Sequence, residues 1–309
     1  MQMHCFGRKL CCSSYPLVPV SLPSRRETHF WYIVPDEIKD ESLLNRYLGL
    51  LSSGEKESVF RMNGDKLRKR ALLARALVRT TLARYTQVSP RSLKFKKNLF
   101  GKPEVEWQPD EKWDPPSLHF NISHTSSLIA CGVAADMPIG IDVEEKHRKT
   151  RNNISALARR YFSTHEVEYL DNIPDSEMQQ QEFIKLWTLK EAYVKALGRG
   201  FSASPFNTFT IRFKDICQSS LQVSKNFSSE AYEIVVEALN DSEHLATNCQ
   251  FAIFELGNLH FAAICTQKDN ITQGEEENML KLKAWKTIPF VEDECVSETD
   301  TIIPISGLA

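Results

Sequence analysis

Residues 138–149 read PIGIDVEEKHRK, in which Ile139, Ile141 and Val143 alternate with Gly140, Asp142 and Glu144. Strand side chains have period two, so this alternation predicts a strand with one apolar face and with Asp142 and Glu144 together on the other. Two strand rises set the two carboxylates roughly 6–7 Å apart. At an effective dielectric near 20 they repel by about 2–3 kcal/mol. A half-buried face holds such a pair only if positive charge lies between them. The alternative is a strand end running into solvent, with Glu145 and Lys146 as its hydrated continuation.

Around this strand, residues 118–145 (LHFNISHTSSLIACGVAADMPIGIDVEE) divide at two turn clusters, His124–Ser127 and Ala135–Pro138, into three short strands expected to form an antiparallel meander. Upstream, THFWYIVP reads as the first strand, and Ser52 with Glu55 forms a capping box. A helix is expected over about 66–85, where Leu67, Ala71, Ala74, Val78, Thr81 and Tyr85 make one stripe. SLKFKKNLFGKPEVEW reads as strand, turn, strand, and DPPS at 114–117 as a linker. Downstream, helices are expected at about 153–161, 164–171 and 177–197, then strands at FTIRF, YEIVVEAL, CQFAIFEL and LHFAAICT. Gly257-Asn258 between the last two is a hairpin signal. Each half thus offers helices and a small antiparallel sheet, an α+β class. No sequence repeat is strong enough to prove duplication.

At 309 residues, 42% hydrophobic, 25% charged and formal net charge −2, the chain reads as an ordinary soluble globular protein. Basic residues crowd 66–84, which suits either a solvated helix face or an anionic partner. The eight cysteines show no C-x-x-C or zinc-finger spacing and read as reduced thiols. No apolar run reaches the 18 or so residues that span a bilayer, so no membrane partner is expected. Residues 1–26 lack Asp and Glu but carry Arg8, Lys9, Arg25 and Arg26, a composition shared by transit peptides and by flexible termini. The expected location is cytoplasmic, or mitochondrial or plastid if residues 1–28 act as a transit peptide.

Four motifs hold chemistry, and each also has a plain structural reading. In QEFIKLWTLKEAYVKALGRGF, Phe183, Trp187, Glu191 and Lys195 lie four apart. A carboxylate a turn beyond Phe and Trp is partly buried, so Glu191 either pairs with Lys195 or binds a metal. In YFSTHEVEYL, Glu166 stands three residues after Ser163, as the far half of a capping box or as a catalytic base. FNISHTSS puts His124 in a hydroxyl-rich turn, either solvated or part of an anion site. GKP at 101–103 is by itself an ordinary turn.

In this order, F-N-I-S-H, G-I-D-V-E, F-S-x-x-E and W-T-x-K-E-A-Y-x-K-A-x-G-x-G resemble the Sfp-type 4′-phosphopantetheinyl transferases over roughly residues 30–266, in the manner of a eukaryotic, plant-like holo-[acyl-carrier-protein] synthase. The resemblance implies a two-lobed pseudo-dimer, each lobe a small antiparallel sheet with helices. It divides into a terminus at 1–28, lobes at 29–117 and 118–267, and a peripheral or disordered tail at 268–309. It implies transfer of 4′-phosphopantetheine from coenzyme A to a serine of an apo acyl carrier protein or carrier domain, releasing adenosine 3′,5′-bisphosphate. The carrier is expected to present an acidic helix. Mg²⁺, with Mn²⁺ as an alternative, would be held by Asp142, Glu144 and Glu191, all oxygen donors suited to a hard cation.

By the same resemblance Glu166, Lys195 and Asp142 are catalytic, with Glu166 as base. Lys56, Lys102, Ser123, His124, Lys190 and Lys195 contact coenzyme A, and so does an arginine of the basic helix. Spacing from Asp65 favours Arg68 for that role and spacing to Leu72–Leu73 favours Arg70, and Arg70 is the expected one because the helix register downstream is then ungapped. A monomer is expected. Two rivals remain: a nucleic-acid module using helix 66–84, which offers only Tyr85 for stacking, and an inactive scaffold of the same fold. Both leave the set Asp142, Glu144 and Glu191 without a purpose.

Overall fold

The computed structural model describes residues 17–107, 115–149, 153–200, 205–215, 232–238, 249–267, 280–298 and 302–304. The chain runs through one sequence of elements twice. The first pass is β1 (Glu27–Ile33), α1 (Glu41–Leu50), α2 (Ser53–Phe60), α3 (Asp65–Thr86), the pair β2 (Phe95–Lys97) and β3 (Pro103–Val105), then β4 (Leu118–His124) and β5 (Ile129–Ala135). The second is β6 (Ile139–Glu145), α4 (Ile154–Tyr161), α5 (Thr164–Asp171), α6 (Ser176–Leu197), the pair β7 (Phe209–Asp215) and β8 (Tyr232–Ala238), then β9 (Cys249–Leu256) and β10 (His260–Gln267). Sheet order repeats too: β4-β5-β1 in one lobe and β9-β10-β6 in the other.

The register of the repeat is ungapped through the helices. Capping residues Ser52 and Glu55 recur as Ser163 and Glu166, the ends Asp65 and Thr86 of α3 as Ser176 and Leu197 of α6, and Arg79 as Lys190. Every pair is 111 positions apart. The duplication that side-chain identity conceals is therefore plain in spacing and topology.

The layers are helix, sheet, sheet, helix. Trp31, Ile33, Cys131 and Val133 pack against α3, and Phe251, Ile253, Phe261 and Ala263 against α6. Between the sheets lie Phe30, Tyr32, Ala130, Ile139, Ile141, Val143, Phe254 and Ile264. The alternation of residues 139–144 is borne out: the isoleucines and Val143 fill the inter-sheet core, and Asp142 faces the opposite way, toward α6.

Four expectations are corrected. Strand β6 does not complete a three-strand meander; β4 pairs with β5, but β6 pairs with β10 in the other sheet. The lobes do not part at 117, because β5 pairs with β1 as well as β4 and so belongs to the first sheet. The segment beyond 268 is not peripheral where it is described. β11 (Lys281–Ile288) pairs parallel with β1, β12 (Glu292–Cys295) pairs with β11, and β13 (Ile302–Pro304) with β9. The cause is packing that the first lobe lacks without it. Trp285 stacks on Trp31 at 4.4 Å, and Asp293 supplies the carboxylate for buried Arg84 at 2.8 Å. At the other terminus, residues 17–28 are not loose: Val20 N–H donates to Arg84 O, and Arg84 Nη1 donates to Val18 O, each at 3.1 Å. Residues 1–16 of the proposed leader, and Asp114 of the linker at 114–117, lie outside the described residues.

Other readings hold. Both capping boxes form, and Gly257 and Asn258 both have positive φ, 55° and 57°, as a type I′ hairpin turn requires. Among the described residues Cys131, Cys249, Cys265 and Cys295 form no disulfide, and no helix is long and apolar enough to cross a membrane.

Candidate active site

The site begins with a missing side chain. A Cβ on Gly140 would stand 2.0 Å from Ala192 O and 2.2 Å from Ala196 N. Helix α6 therefore lies directly on the backbone of β6, and the small residues Ala192 and Ala196 keep its facing side thin. Glu191 and Lys195, one turn apart, are carried on the same side of α6 and come down beside Asp142, two residues along the strand from Gly140.

A second close approach completes it. β4 and β6 are edge strands of their own sheets, and side chains rather than backbone join them. Asn121 Oδ1 accepts from Ile141 N–H at 2.9 Å, and Ser123 Oγ from Val143 N–H at 3.2 Å. The period-two N-I-S of β4 is thus a seam that satisfies the free N–H groups of β6. Ser123 then donates to Asp142 Oδ1 at 2.8 Å, and Lys195 Nζ reaches the same oxygen at 2.5 Å and Ser123 Oγ at 3.2 Å. Positive charge does sit against the acidic face, as the alternation required.

Asp142 is 4% exposed, and its second oxygen, Oδ2, is buried without a hydrogen-bond partner among the described residues. Burial and the neighbouring charge of Asp142 push the Glu144 carboxyl up to about 7, against the pull of Arg148 and Lys195. The same two causes raise Glu191. Glu144 and Glu191 thus both lie in the field of Asp142, and a small hard cation would relieve both the repulsion and the orphaned oxygen. The chemistry of the donor set fits such an ion. The side chains are not gathered around one point, however. Lys195 takes Asp142 Oδ1, Arg148 takes Glu144 Oε1 at 2.7 Å, and no group of three His, Cys, Asp or Glu among the described residues converges on a cation position.

Beside this cluster opens a cleft of about 570 Å³ between the first turns of α3 and the loop after β4. Met62, Leu67, Ala71 and Ala74 form an apolar wall, and Arg70, Arg75, His124, Ser126, Glu144 and Arg148 the polar one. The structure separates the two arginine candidates. Arg70 lines the cleft and its Nη1 points to Thr125 O at 3.4 Å, whereas Arg68 turns back to Met62 O at 3.0 Å and Asp65. His124 stands exposed at the mouth. Partial burial and the cations of Lys195 and Arg70 hold its imidazole below the usual range, so it is neutral at pH 7.

Four of the expected residues, Glu166, Lys190, Lys102 and Lys56, do not line this cleft. Glu166 is 2% exposed and fully engaged: it closes its capping box with Ser163 N–H at 3.0 Å, accepts from Ile211 N–H at 2.8 Å, and pairs with Lys190 at 2.8 Å. Lys190 is wholly buried, donates to Phe206 O and Phe209 O at 2.7 Å each, and lies 4.1 Å from the Phe209 ring centroid. Five positions separate it from Lys195, about 140° around the helix, so the two lysines face different sides. The duplication explains the pair. In the first lobe Glu55 of the other capping box binds Arg79 at 2.6 Å, and Arg79 donates to Pro90 O and Leu93 O. The same device in both lobes pins the second helix to the third and to the loop that follows. It is architecture, and the separate pocket of about 230 Å³ that Glu166 lines with His165, Tyr169 and Thr210 shares no lining residue with the cleft beside Asp142.

Lys102 is likewise turned inward. Its Nζ donates to Ile139 O at 2.9 Å and Lys195 O at 2.7 Å, and burial brings it down to about 8. With Asn98, which donates to Gly198 O, it staples the β2–β3 turn to the end of α6. Lys56 is half-buried on α2 and is not among the cleft-lining residues. Arg75 and Arg148 were not anticipated. Arg148 carried a signal in the sequence, four residues after Glu144.

Comparison with known proteins gives matches over both lobes. The family model described as 4′-phosphopantetheinyl transferase superfamily matches residues 138–249, and that described as 4′-phosphopantetheinyl transferase, N-terminal, matches 40–137. Their junction falls between β5 and β6, where the repeat restarts. The chain is 35% identical over 176 residues to the 4′-phosphopantetheinyl transferase HetI of Nostoc sp., covering 57% of this chain and 70% of HetI. It is 31% identical over 193 residues to the 4′-phosphopantetheinyl transferase Sfp of Bacillus subtilis, covering 61% and 80%. To the L-aminoadipate-semialdehyde dehydrogenase-phosphopantetheinyl transferase of Homo sapiens it is 25% identical over 198 residues, covering 60% and 58%.

Proposed function

Because the chain belongs to the 4′-phosphopantetheinyl transferase family, we propose that the cleft beside Asp142 and Lys195 holds coenzyme A for transfer of its 4′-phosphopantetheine group to a carrier-protein serine. The chain is a transferase of that activity; the assignment of its residues is our reading. The observation that carries it is the buried constellation of Asp142, Ser123 and Lys195, with a carboxylate oxygen that has no partner among the described residues, close in chain to Glu144 and His124, which line a cleft with Arg70 and Arg75.

In this reading Asp142, Glu144 and Glu191 hold Mg²⁺, or Mn²⁺ in its place. When bound, the ion would orient the pyrophosphate and offset the charge that develops on it. His124, Arg70 and Ser126 meet phosphate oxygens along the polar wall. Lys195, already beside Asp142, stabilises the negative charge that grows on the leaving phosphate. The serine oxygen of the carrier forms a bond to the β-phosphorus of coenzyme A. The bond from that phosphorus to the bridging oxygen breaks, and adenosine 3′,5′-bisphosphate leaves. The serine proton passes to a carboxylate of the Asp142 cluster.

Carrier domains of the acyl-carrier and aminoadipate-reductase types are the proposed acceptors, the second in line with the printed name of the human relative. A nucleic-acid partner is disfavoured by the basic helix itself. Arg79 and Arg84 are buried in pairs with Glu55 and Asp293, and Arg75 bonds to Ala71 O and Ser58. We propose action as a monomer.

Mass spectrometry of apo carriers after incubation with the protein, coenzyme A and Mg²⁺ tests the proposal. The expected result is addition of phosphopantetheine by the wild type and none by Asp142→Ala. Near-normal turnover by that variant at saturating Mg²⁺ refutes the metal assignment.

A further inference from the structure

Two cations hold the carboxylates of the site, and they differ in how firmly they are built in. Lys195 arrives on α6, three-quarters buried, and binds Asp142 and Ser123 together. Arg148 lies just beyond β6, 53% exposed, with its guanidinium on Glu144 Oε1 at 2.7 Å. Its backbone is fixed independently of that contact: Arg148 N–H donates to Glu145 O at 3.0 Å, and its carbonyl accepts from Gln180 Nε2 at 2.8 Å. The side chain can therefore leave Glu144 without disturbing the turn. Its charge also pulls on Glu191 and Glu145, and it lines the cleft proposed for coenzyme A.

We propose that Arg148 is a resident counter-cation of the carboxylate site, which holds Glu144 until a divalent ion takes it and so sets how tightly that ion binds. Glu144 cannot give the same oxygen at full strength to both cations. The guanidinium also repels an incoming dication across a short distance. Displaced from Glu144, Arg148 stays in the cleft as a positive group beside the phosphates. The inference rests on the metal reading of the preceding section.

The test uses Mn²⁺ alone as probe, with the full chain freed of metal by chelation and no coenzyme A, reading free aqua Mn²⁺ by electron paramagnetic resonance. An exposed pair of this kind is worth a factor of about two to five. Arg148→Gln is expected to bind Mn²⁺ about two- to fivefold more tightly than wild type, and Arg148→Lys to stay within a factor of about two. Arg159→Gln, which removes a charge paired to Asp171 on the helices, controls for net charge and should leave affinity unchanged. If wild type binds Mn²⁺ and Arg148→Gln binds no tighter, this inference is overturned while the metal site stands. A wild type that takes up no Mn²⁺, with or without coenzyme A, overturns the metal reading and this inference with it.

Discussion

Gly140→Ala is the smallest change that should separate the fold from the chemistry. The added Cβ would sit 2.0 Å from Ala192 O, against the 3.4 Å at which ordinary contact begins, and the obstructing atoms are helix backbone. No rotamer relieves this, so α6 must retreat from β6 by more than 1 Å locally. Overpacking of this kind costs about 1–3 kcal/mol. For a chain of this size that is a fall of roughly 2–5 °C in Tm. The functional loss should be larger. Lys195 Nζ lies 2.5 Å from Asp142 Oδ1, and a displacement of about 1 Å in a positioned group costs about 10²-fold in rate. Gly132→Ala is the control, because its Cβ would meet the Ile141 side chain at 2.4 Å between the sheets and leave α6 alone. The assay pairs calorimetric melting with carrier modification per folded molecule, well below both melting temperatures. The expectation is a modest, similar Tm loss in both variants and a rate loss of about 10²-fold in Gly140→Ala alone. If Gly140→Ala melts lower yet turns over like Gly132→Ala, the close approach of α6 does not position Lys195, and the reasoning fails.

Three further outcomes are expected. Glu166→Gln leaves the charge of Lys190 buried without its partner and should cost about 3–5 kcal/mol. Adding Lys190→Met should restore part of the melting temperature with activity per folded molecule near wild type, and a large rate loss at unchanged Tm would return Glu166 to catalysis. Lys102 and Lys190 are both brought down to about 8 by burial. Between pH 8 and about 10 the unfolded chain keeps protons that the folded chain has released, so stability should rise with pH. Lys102→Met should flatten that rise in denaturant titrations, and an unchanged slope would remove Lys102 as a source. Asp293→Ala strands Arg84, which is 2% exposed at its side chain. It should lose about 3–5 kcal/mol, and a melt within 1–2 °C of wild type, well short of what that loss implies, would show that the pair is dispensable.

What the sequence could announce was local. The alternation at 139–144 placed Asp142 on the right face, two S-x-x-E boxes marked helix starts, and Gly257-Asn258 marked its turn, because each depends on residues within one or two turns of chain. The partners of Glu166 and Lys190 were hidden for the opposite reason. Nothing in either segment says that α5 and α6 pack so that one carboxylate meets one ammonium, and only the parallel with Glu55 and Arg79 at matching spacing makes the pair intelligible. Lys102 misled because GKP sits in a turn, where a lysine is expected to reach solvent or ligand, while the end of α6 offered carbonyls that needed a donor. The acid-rich run after residue 270 read as a tail because Glu292, Asp293 and Glu294 dominate its composition. Asp293, the one that matters most, is spent on an arginine more than 200 positions earlier.

The parallel pairing of β1 with β11, from Glu27 opposite Lys281 to Tyr32 opposite Lys286, has a bearing on how the chain is made. A ribosome delivers β1 first and its partner roughly 250 residues afterwards. At about 5–20 residues per second, that is a delay on the order of 10–50 seconds. Throughout it the first lobe holds its helices and one side of its sheet, but the flank of β1 that β11 will cover stays open, with Trp31 short of the ring it will stack on. Open strand edges beside aromatic surface pair readily with whatever chain is near. The yield of this protein in a cell should therefore follow how well β1 is sheltered during synthesis, and slow translation of a stretch between β1 and β11 should lower it more than slow translation of a stretch of similar length after β11.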